Sequence, residues 1–162
     1  MATSKTKKTG LTREIAEFKE RRIVEEAVDL FYSEGYENAT LDMLAAQLEV
    51  TKPFIYSYFK SKNELLFQVC QTGIKLSQEA LDLCLQGDGT ATEKLKRVTE
   101  QVGSIILQYQ KYIVVYLREE KNLRSNDSRS IRKQRSLFDH RLASLLKEGN
   151  ITGEFAVSNP LM

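Results

Sequence analysis

Proline occurs only twice in 162 residues, at Pro53 and Pro160. Proline removes a backbone donor and breaks helices, so its rarity leaves long stretches free to be helical. Strict apolar–polar alternation, the mark of a half-buried strand, is rare here, whereas apolar residues recur at helical spacing. The chain therefore reads as all-α, with no internal repeat and no low-complexity segment.

The periodicity places the elements. Val24, Ala27, Val28 and Phe31 form a buried stripe on a helix over about 17–34, with Gly35 as its stop. Thr40 is positioned to cap a second helix carrying Leu41, Leu44, Ala45 and Leu48. Glu49-Val50 makes a turn. Thr51 caps a third helix, with Pro53 in its first turn and an end near Phe59. Ser61-Lys62-Asn63-Glu64 reads as a capping box that launches a helix to about Gln86, with Leu65, Val69, Leu76, Ala80 and Leu83 inward. Gly87-Asp88-Gly89 breaks it. A second capping box, Thr90–Glu93, starts a helix with Leu95, Val98, Val102, Ile105, Ile106 and Tyr109 on one side. Tyr112–Leu117 continues it past a kink near Lys111. After a loop over 122–127, Asp127 or Ser128 caps a last helix, with Ile131, Phe138, Leu142 and Leu145 inward and Gly149-Asn150 at its end. Ser158-Asn159-Pro160 has the form of one more helix start, so the natural protein is expected to be longer than this chain.

Composition narrows the class. Hydrophobic residues at 41% suffice for a core, and charged residues at 28% fit a soluble chain. No apolar run nears the roughly 20 residues that span a bilayer, and Met1–Lys5 lacks the apolar stretch of a signal peptide. The cytoplasm is the simplest compartment. Cys70 and Cys84 fall on one helix, roughly 21 Å apart, too far for a disulfide, so core packing is expected for both. A net charge of +2 neither demands nor excludes nucleic acid. Lys5, Lys7, Lys8 and Arg13 make 1–16 a basic arm, of use to DNA binding only if a reader follows.

Such a reader does follow. Three short helices within 17–62 fit a helix-turn-helix with a supporting helix. On a wheel of the third helix, Ile55 and Phe59 face the core, and Pro53 and Ser57 lie opposite. Phe54, Tyr56 and Tyr58 occupy the flanks. Aromatics on an outer face call for a partner, and the second helix of such a pair enters the major groove of double-stranded DNA. Pro53 and Phe54 can pack on thymine methyls, and Ser57 can bond a base edge. Tyr56 and Tyr58 can reach phosphates, while Thr40, Thr51 and Lys62 stand at helix N-termini, which favour phosphate. The rival reading is a helical adaptor that holds a protein partner through the aromatics of 54–58.

Ile23–Leu65 resembles the DNA-binding domain of TetR/AcrR-type transcriptional regulators. The matching words are Ala27-Val28-Asp29-Leu30-Phe31, Gly35-Tyr36, Ala39-Thr40-Leu41, Leu44-Ala45, Val50-Thr51, Ile55-Tyr56, Tyr58-Phe59, Lys62 and Leu65. The resemblance implies phosphate contacts from Thr40, Tyr56, Tyr58 and Lys62, and base contacts around Lys52, Pro53 and Ser57. Glu49 stands where glycine is common in the turn, and Pro53 where glycine or alanine is common in the reading helix. Glu49 would strain the turn if it requires a positive φ.

Beyond residue 65 the resemblance is architectural. It implies that 63–162 is part of a helical regulatory domain, with a homodimer formed by C-terminal helices beyond Pro160. It also implies a repressor on a palindromic operator, released when a small-molecule effector tilts the helix after Lys62. Val102, Ile106, Tyr109, Tyr112, Tyr116, Arg135 and Phe138 are the candidate pocket residues, with ordinary core as the alternative. Tyr116-Leu117-Arg118-Glu119-Glu120 and Asn122-Leu123 resemble TetR-type regulators of fatty-acid, phenylacetate and steroid catabolism. That likeness suggests an acyl-CoA inducer, with Arg129, Arg132, Lys133 and Arg135 free to meet its phosphates or simply to form a solvated face. No catalytic set or metal site is expected. His140 has no Cys or His neighbour at metal spacing, no phosphate-cradling glycine loop occurs, and Glu119-Glu120 point apart.

Overall fold

The computed structural model describes residues 3–159, with side chains from Gly10 onward. Among them every regular element is helical: α1 (Thr3–Asn38), α2 (Leu41–Gln47), α3 (Lys52–Tyr56), α4 (Lys62–Gln86), α5 (Ala91–Gln108), α6 (Gln110–Glu119), a 3-10 turn (Glu120–Asn122) and α7 (Ser125–Thr152). The chain divides into two compact units, one ending at Val69 and the other starting at Cys70, with α4 contributing to both.

In the first unit α1 starts well before the expected Glu17, so the part of the basic arm from Thr3 onward is helical. Gly35, at φ 75 and ψ 158, interrupts it where a stop was expected. Val24, Ala27, Val28 and Phe31 are buried, as are Leu41, Leu44 and Ala45 of α2, Ile55 of α3 and Phe59. Thr40 caps α2 by accepting from the Met43 N–H at 3.1 Å. Thr51 occupies the N-cap of α3, yet its side chain makes no capping bond, and the helix ends at Tyr56 rather than near Phe59. Ser61 Oγ accepts from Glu64 N–H at 3.1 Å, while the Glu64 carboxylate accepts from Lys60 N–H at 2.7 Å.

The second unit has its core among Leu81, Cys84, Ala91, Val98 and Leu145, with Leu85, Leu95, Phe138, Leu142 and Phe155 packed around them. The Thr90–Glu93 capping box forms as expected, and the α5–α6 kink falls at Tyr109. Three expectations fail here. Leu83 is 73% exposed, and Leu81 and Cys84 are buried in its place. Helix α7 begins earlier, with Arg124 rather than Asp127 or Ser128 at its N-cap. It also runs through Gly149-Asn150 to Gly153, whose φ of 78 makes the left-handed stop. Gly149 is buried inside the helix because the Phe155 ring lies on it, where any Cβ would collide. The helix start suggested at Ser158-Asn159-Pro160 runs into residues outside those described. No helix among the described residues is long and apolar enough to cross a membrane.

Candidate nucleic-acid interface and effector cavity

The expected DNA-reading residues lie on α2, α3 and the start of α4, and their local partners differ sharply. Thr40, Thr51, Pro53, Tyr56 and Ser57 are exposed. The Thr40 oxygen is an acceptor within its cap, which leaves its hydroxyl proton to donate outward. Tyr56 is 46% exposed. Lys52 forms an ion pair with Asp42 of α2 at 2.7 Å, which raises its pKa. Both groups face solvent, so the pair is weak and easily exchanged for a phosphate. Ser57 donates to the Phe54 carbonyl at 2.6 Å, so its proton serves the end of α3 and only its lone pairs face outward.

Three groups are more enclosed than a wheel suggests. Phe54 and Tyr58 are half-buried and pair with each other, ring centroids 5.3 Å apart. Lys19 of α1 lies over the Phe54 ring at 5.7 Å, a cation–π contact to which no sequence signal points. Lys62 turns inward. Its ammonium donates to the carbonyls of Tyr36 at 2.7 Å and Ala39 at 2.9 Å, with Glu37 at 3.4 Å, and sits 4.3 Å from the centre of the Tyr36 ring. The turn before α3 does require a positive φ, since Glu49 adopts 54°.

In the second unit α4, α5, α6 and α7 enclose a mainly apolar cavity of about 270 Å³. Val102, Ile106, Tyr112, Tyr116, Arg135 and Phe138 line it, whereas Tyr109 does not and instead packs its ring on Tyr112, 5.5 Å between centroids. Arg135 donates to the Tyr116 hydroxyl at 3.2 Å, and its pKa is raised chiefly by that bond. Asp139 stands on the same wall. The α4 wall was missed: Cys70, Gly73, Ile74 and Ser77 follow i, i+3, i+4, i+7 spacing, but their small and polar members read as a wet face beside the more apolar Leu76 and Leu83. Burial, aided by Glu119 and Glu120, pushes the Cys70 thiol up to about 12, which keeps it protonated and unreactive. Of the basic residues considered for phosphates, Arg129 and Arg132 line a separate polar cleft, Arg135 lines the apolar cavity, and Lys133 lines neither. No group of His, Cys, Asp and Glu among the described residues is arranged to hold a metal.

Known proteins agree with this layout. Residues 23–69 match the family of bacterial regulatory proteins of the tetR type, and residues 88–162 match the tetracyclin repressor-like C-terminal domain. The HTH-type transcriptional regulator YfiR of Bacillus subtilis strain 168 is 23% identical over 161 residues, covering 93% of this chain and 75% of that protein. HbdR of Aromatoleum sp. strain CIB is 22% identical, and the chain spans only 56% of its length. Among solved structures, the TetR family regulator PfmR of Thermus thermophilus superposes with a TM-score of 0.80 at 26% identity, covering 86% of this chain and 76% of that one. AibR, solved in complex with isovaleryl coenzyme A and operator DNA, superposes with a TM-score of 0.72 at 23% identity, covering 88% and 77%. The chain belongs to the TetR family of DNA-binding transcriptional regulators. Regulators of this family bind DNA, form dimers and bind small-molecule effectors.

Proposed function

We propose that this chain represses transcription as a cytoplasmic homodimer on a near-palindromic operator and releases DNA when an acyl-CoA-type effector enters the α4–α7 cavity. The observation that carries the reading is the set of exposed side chains Thr40, at the start of α2, and Thr51, Pro53 and Tyr56, along α3. Two-fold symmetry would bring two such sets to successive major grooves. Thr40, Tyr56 and a released Lys52 supply phosphate contacts, and Pro53 supplies apolar contact with thymine methyls. Ser57 offers only an acceptor to a base edge, so shape and methyl packing carry much of the specificity. Tyr58 and Phe54 act by stacking beneath those side chains and contribute little direct contact.

The effector part rests on the apolar cavity, with the bonded Arg135 and Tyr116 as polar groups on its wall, and on the acyl-CoA held by AibR. The adaptor reading loses its main support because Phe54 and Tyr58 are half-buried against each other.

The test is selection of bound duplexes from a random pool, followed by titration of the winning duplex at several salt concentrations. Binding should weaken by roughly 0.9 log units per phosphate contact per log unit of salt, and Tyr56→Phe should lower that slope while leaving sequence preference intact. Salt-insensitive binding, or no enriched sequence, would refute the DNA-reading role.

A further inference from the structure

Asp42 stands among the DNA-reading residues as a charge of the wrong sign. It lies in the first turn of α2, two residues after Thr40. Its Oδ2 accepts from the Lys52 ammonium at 2.7 Å, which ties the start of α2 to the first residue of α3. The Asp42 side chain is nevertheless 69% exposed. The segment from Val50 to Asn63 holds no acid at all, so α3 brings no carboxylate of its own. An exposed ion pair adds little to stability. Phosphates repel a carboxylate, so a surface that only gripped the backbone of a duplex would bind better without one.

When Lys52 turns to a phosphate, Asp42 loses its partner and meets the duplex as a bare anion. The base edge it finds then decides the outcome. A carboxylate can only accept hydrogen bonds. In the major groove guanine shows two acceptors, and thymine shows an acceptor and a methyl. Adenine shows an amine beside the N7 acceptor, a pattern that suits an amide and repels the second oxygen of a carboxylate. Cytosine shows its N4 amine alone, and a carboxylate can accept from it without conflict. Against the other bases the charge stays unpaired, a repulsive element that discriminates as effectively as an attractive one.

We propose that Asp42 is a specificity-determining residue: once Lys52 moves to a phosphate, the Asp42 carboxylate accepts from the N4 amine of one cytosine in each half-site and penalises every other base there. Asp42 is thereby added to Thr40, Pro53, Tyr56 and Ser57, a role that rests on the DNA-facing reading of α2 and α3. Lys52 and Asp42 work as an exchange pair. In the free protein each satisfies the other. On the operator each finds a partner in the nucleic acid, and on other sequences only the lysine does.

The experiment is selection from a random duplex pool with the full chain, with Asp42→Asn and with Asp42→Ala, followed by titration of the selected duplexes. The parent should enrich one G·C pair per half-site, its cytosine on a fixed strand. Replacing that pair should weaken binding about tenfold, within the range for a single base contact. Asp42→Asn should move the preference at that position to adenine, because an amide bonds N6 and N7 together, and leave the other positions unchanged. Asp42→Ala should bind duplexes with any base pair there equally. A purely structural role, in the first turn of α2 or in the pair with Lys52, would instead lower Tm and weaken binding at all positions alike, which overturns the inference. Lys52→Ala should lower the salt slope by roughly 0.9 per half-site and keep the cytosine; an unchanged slope overturns the exchange. If the parent enriches no sequence, the DNA-reading role fails and this inference with it. If the parent enriches a sequence and both Asp42 variants enrich the same bases at every position, only this inference is overturned.

Discussion

Glu49 holds a φ of 54° in the turn between α2 and α3, a conformation in which its Cβ crowds the following carbonyl. Glycine has no such conflict. Glu49→Gly is expected to stabilise the protein by about 1 kcal/mol, the left-handed strain outweighing the extra freedom of the unfolded chain. The check is thermal unfolding, where that gain corresponds to a rise in Tm of roughly 2–4 °C for a chain of this size. Lys62 raises a different question at the same scale. Family resemblance implies a phosphate contact, yet the ammonium is held by carbonyls of residues 36–39, immediately before the Thr40 cap. Its charge also complements the C-terminal end of α1. We propose that Lys62 is a positioning residue that clamps the α1–α2 corner and so aims Thr40. Lys62→Met should cost about 2 kcal/mol, the range for hydrogen bonds to a charged group, seen as a lower denaturant midpoint. The salt slope of DNA binding should not change. Unaltered stability with a slope reduced by roughly 0.9 per half-site would instead make Lys62 a direct contact.

At the scale of elements, the end of α7 shows what a sequence can and cannot reveal. Glycine near the end of an apolar repeat signals either a stop or a close approach, and spacing alone does not separate the two. Gly149 is the approach and Gly153 is the stop, because Phe155, six residues on from Gly149, folds back onto the helix. Gly149→Ala would gain helix propensity of about 1 kcal/mol but drive a methyl into the Phe155 ring. Overpacking of that kind costs about 1–3 kcal/mol, so a net loss of stability is expected. The double variant with Phe155→Ala should lose less than the two single losses combined, which a double-mutant cycle will measure. Glu154, beside it, accepts from the N–H groups of Ala91 at 3.2 Å and Thr92 at 2.9 Å. The Thr92 bonds foremost, with Thr152, lower its pKa to about 2. A depressed pKa stabilises the folded state above the ordinary carboxylate range, and that contribution fades as pH falls from about 4.5 to about 2. The stability of Glu154→Gln should therefore vary less across that window than that of the parent chain, as acid titration of unfolding can show. Long-range capping of this sort leaves no local mark. Thr40 and Thr90–Glu93 were legible because cap and helix adjoin in sequence, whereas Arg124 carries no capping signature. Leu83 was misassigned because α4 has leucines on two faces, and only the fold decides that Leu81 and Cys84 are the ones covered. For the same reason the α4 wall of the cavity stayed hidden behind a glycine, a serine and a cysteine.

Across the whole molecule, α4 is the element that carries both Lys62, in the unit with the helix-turn-helix, and Gly73, in the wall of the apolar cavity proposed to take the effector. An effector shifts DNA binding only by its differential affinity for the two arrangements, however tightly it binds. Blocking the cavity should therefore abolish the response without removing the reader. Gly73 is the place to do so. Glycine inside a helix costs about 1 kcal/mol relative to alanine, and a Cβ here would meet Ile113 Cγ1 and Tyr112 Cβ at 3.9 Å, an ordinary contact. Nothing steric in the backbone demands glycine at this position, and its effect is to leave the cavity open. Gly73→Ala should be accepted with a gain of up to about 1 kcal/mol. Gly73→Leu should project a branched side chain into the 270 Å³ space and weaken effector binding at least tenfold. Helical circular dichroism and operator affinity without effector should stay as in the parent. The pair of measurements separates two failures. Normal effector affinity in Gly73→Leu would place the effector outside this cavity. Lost affinity together with lost operator binding would mean that the leucine itself drives the DNA-incompetent arrangement, as an effector does.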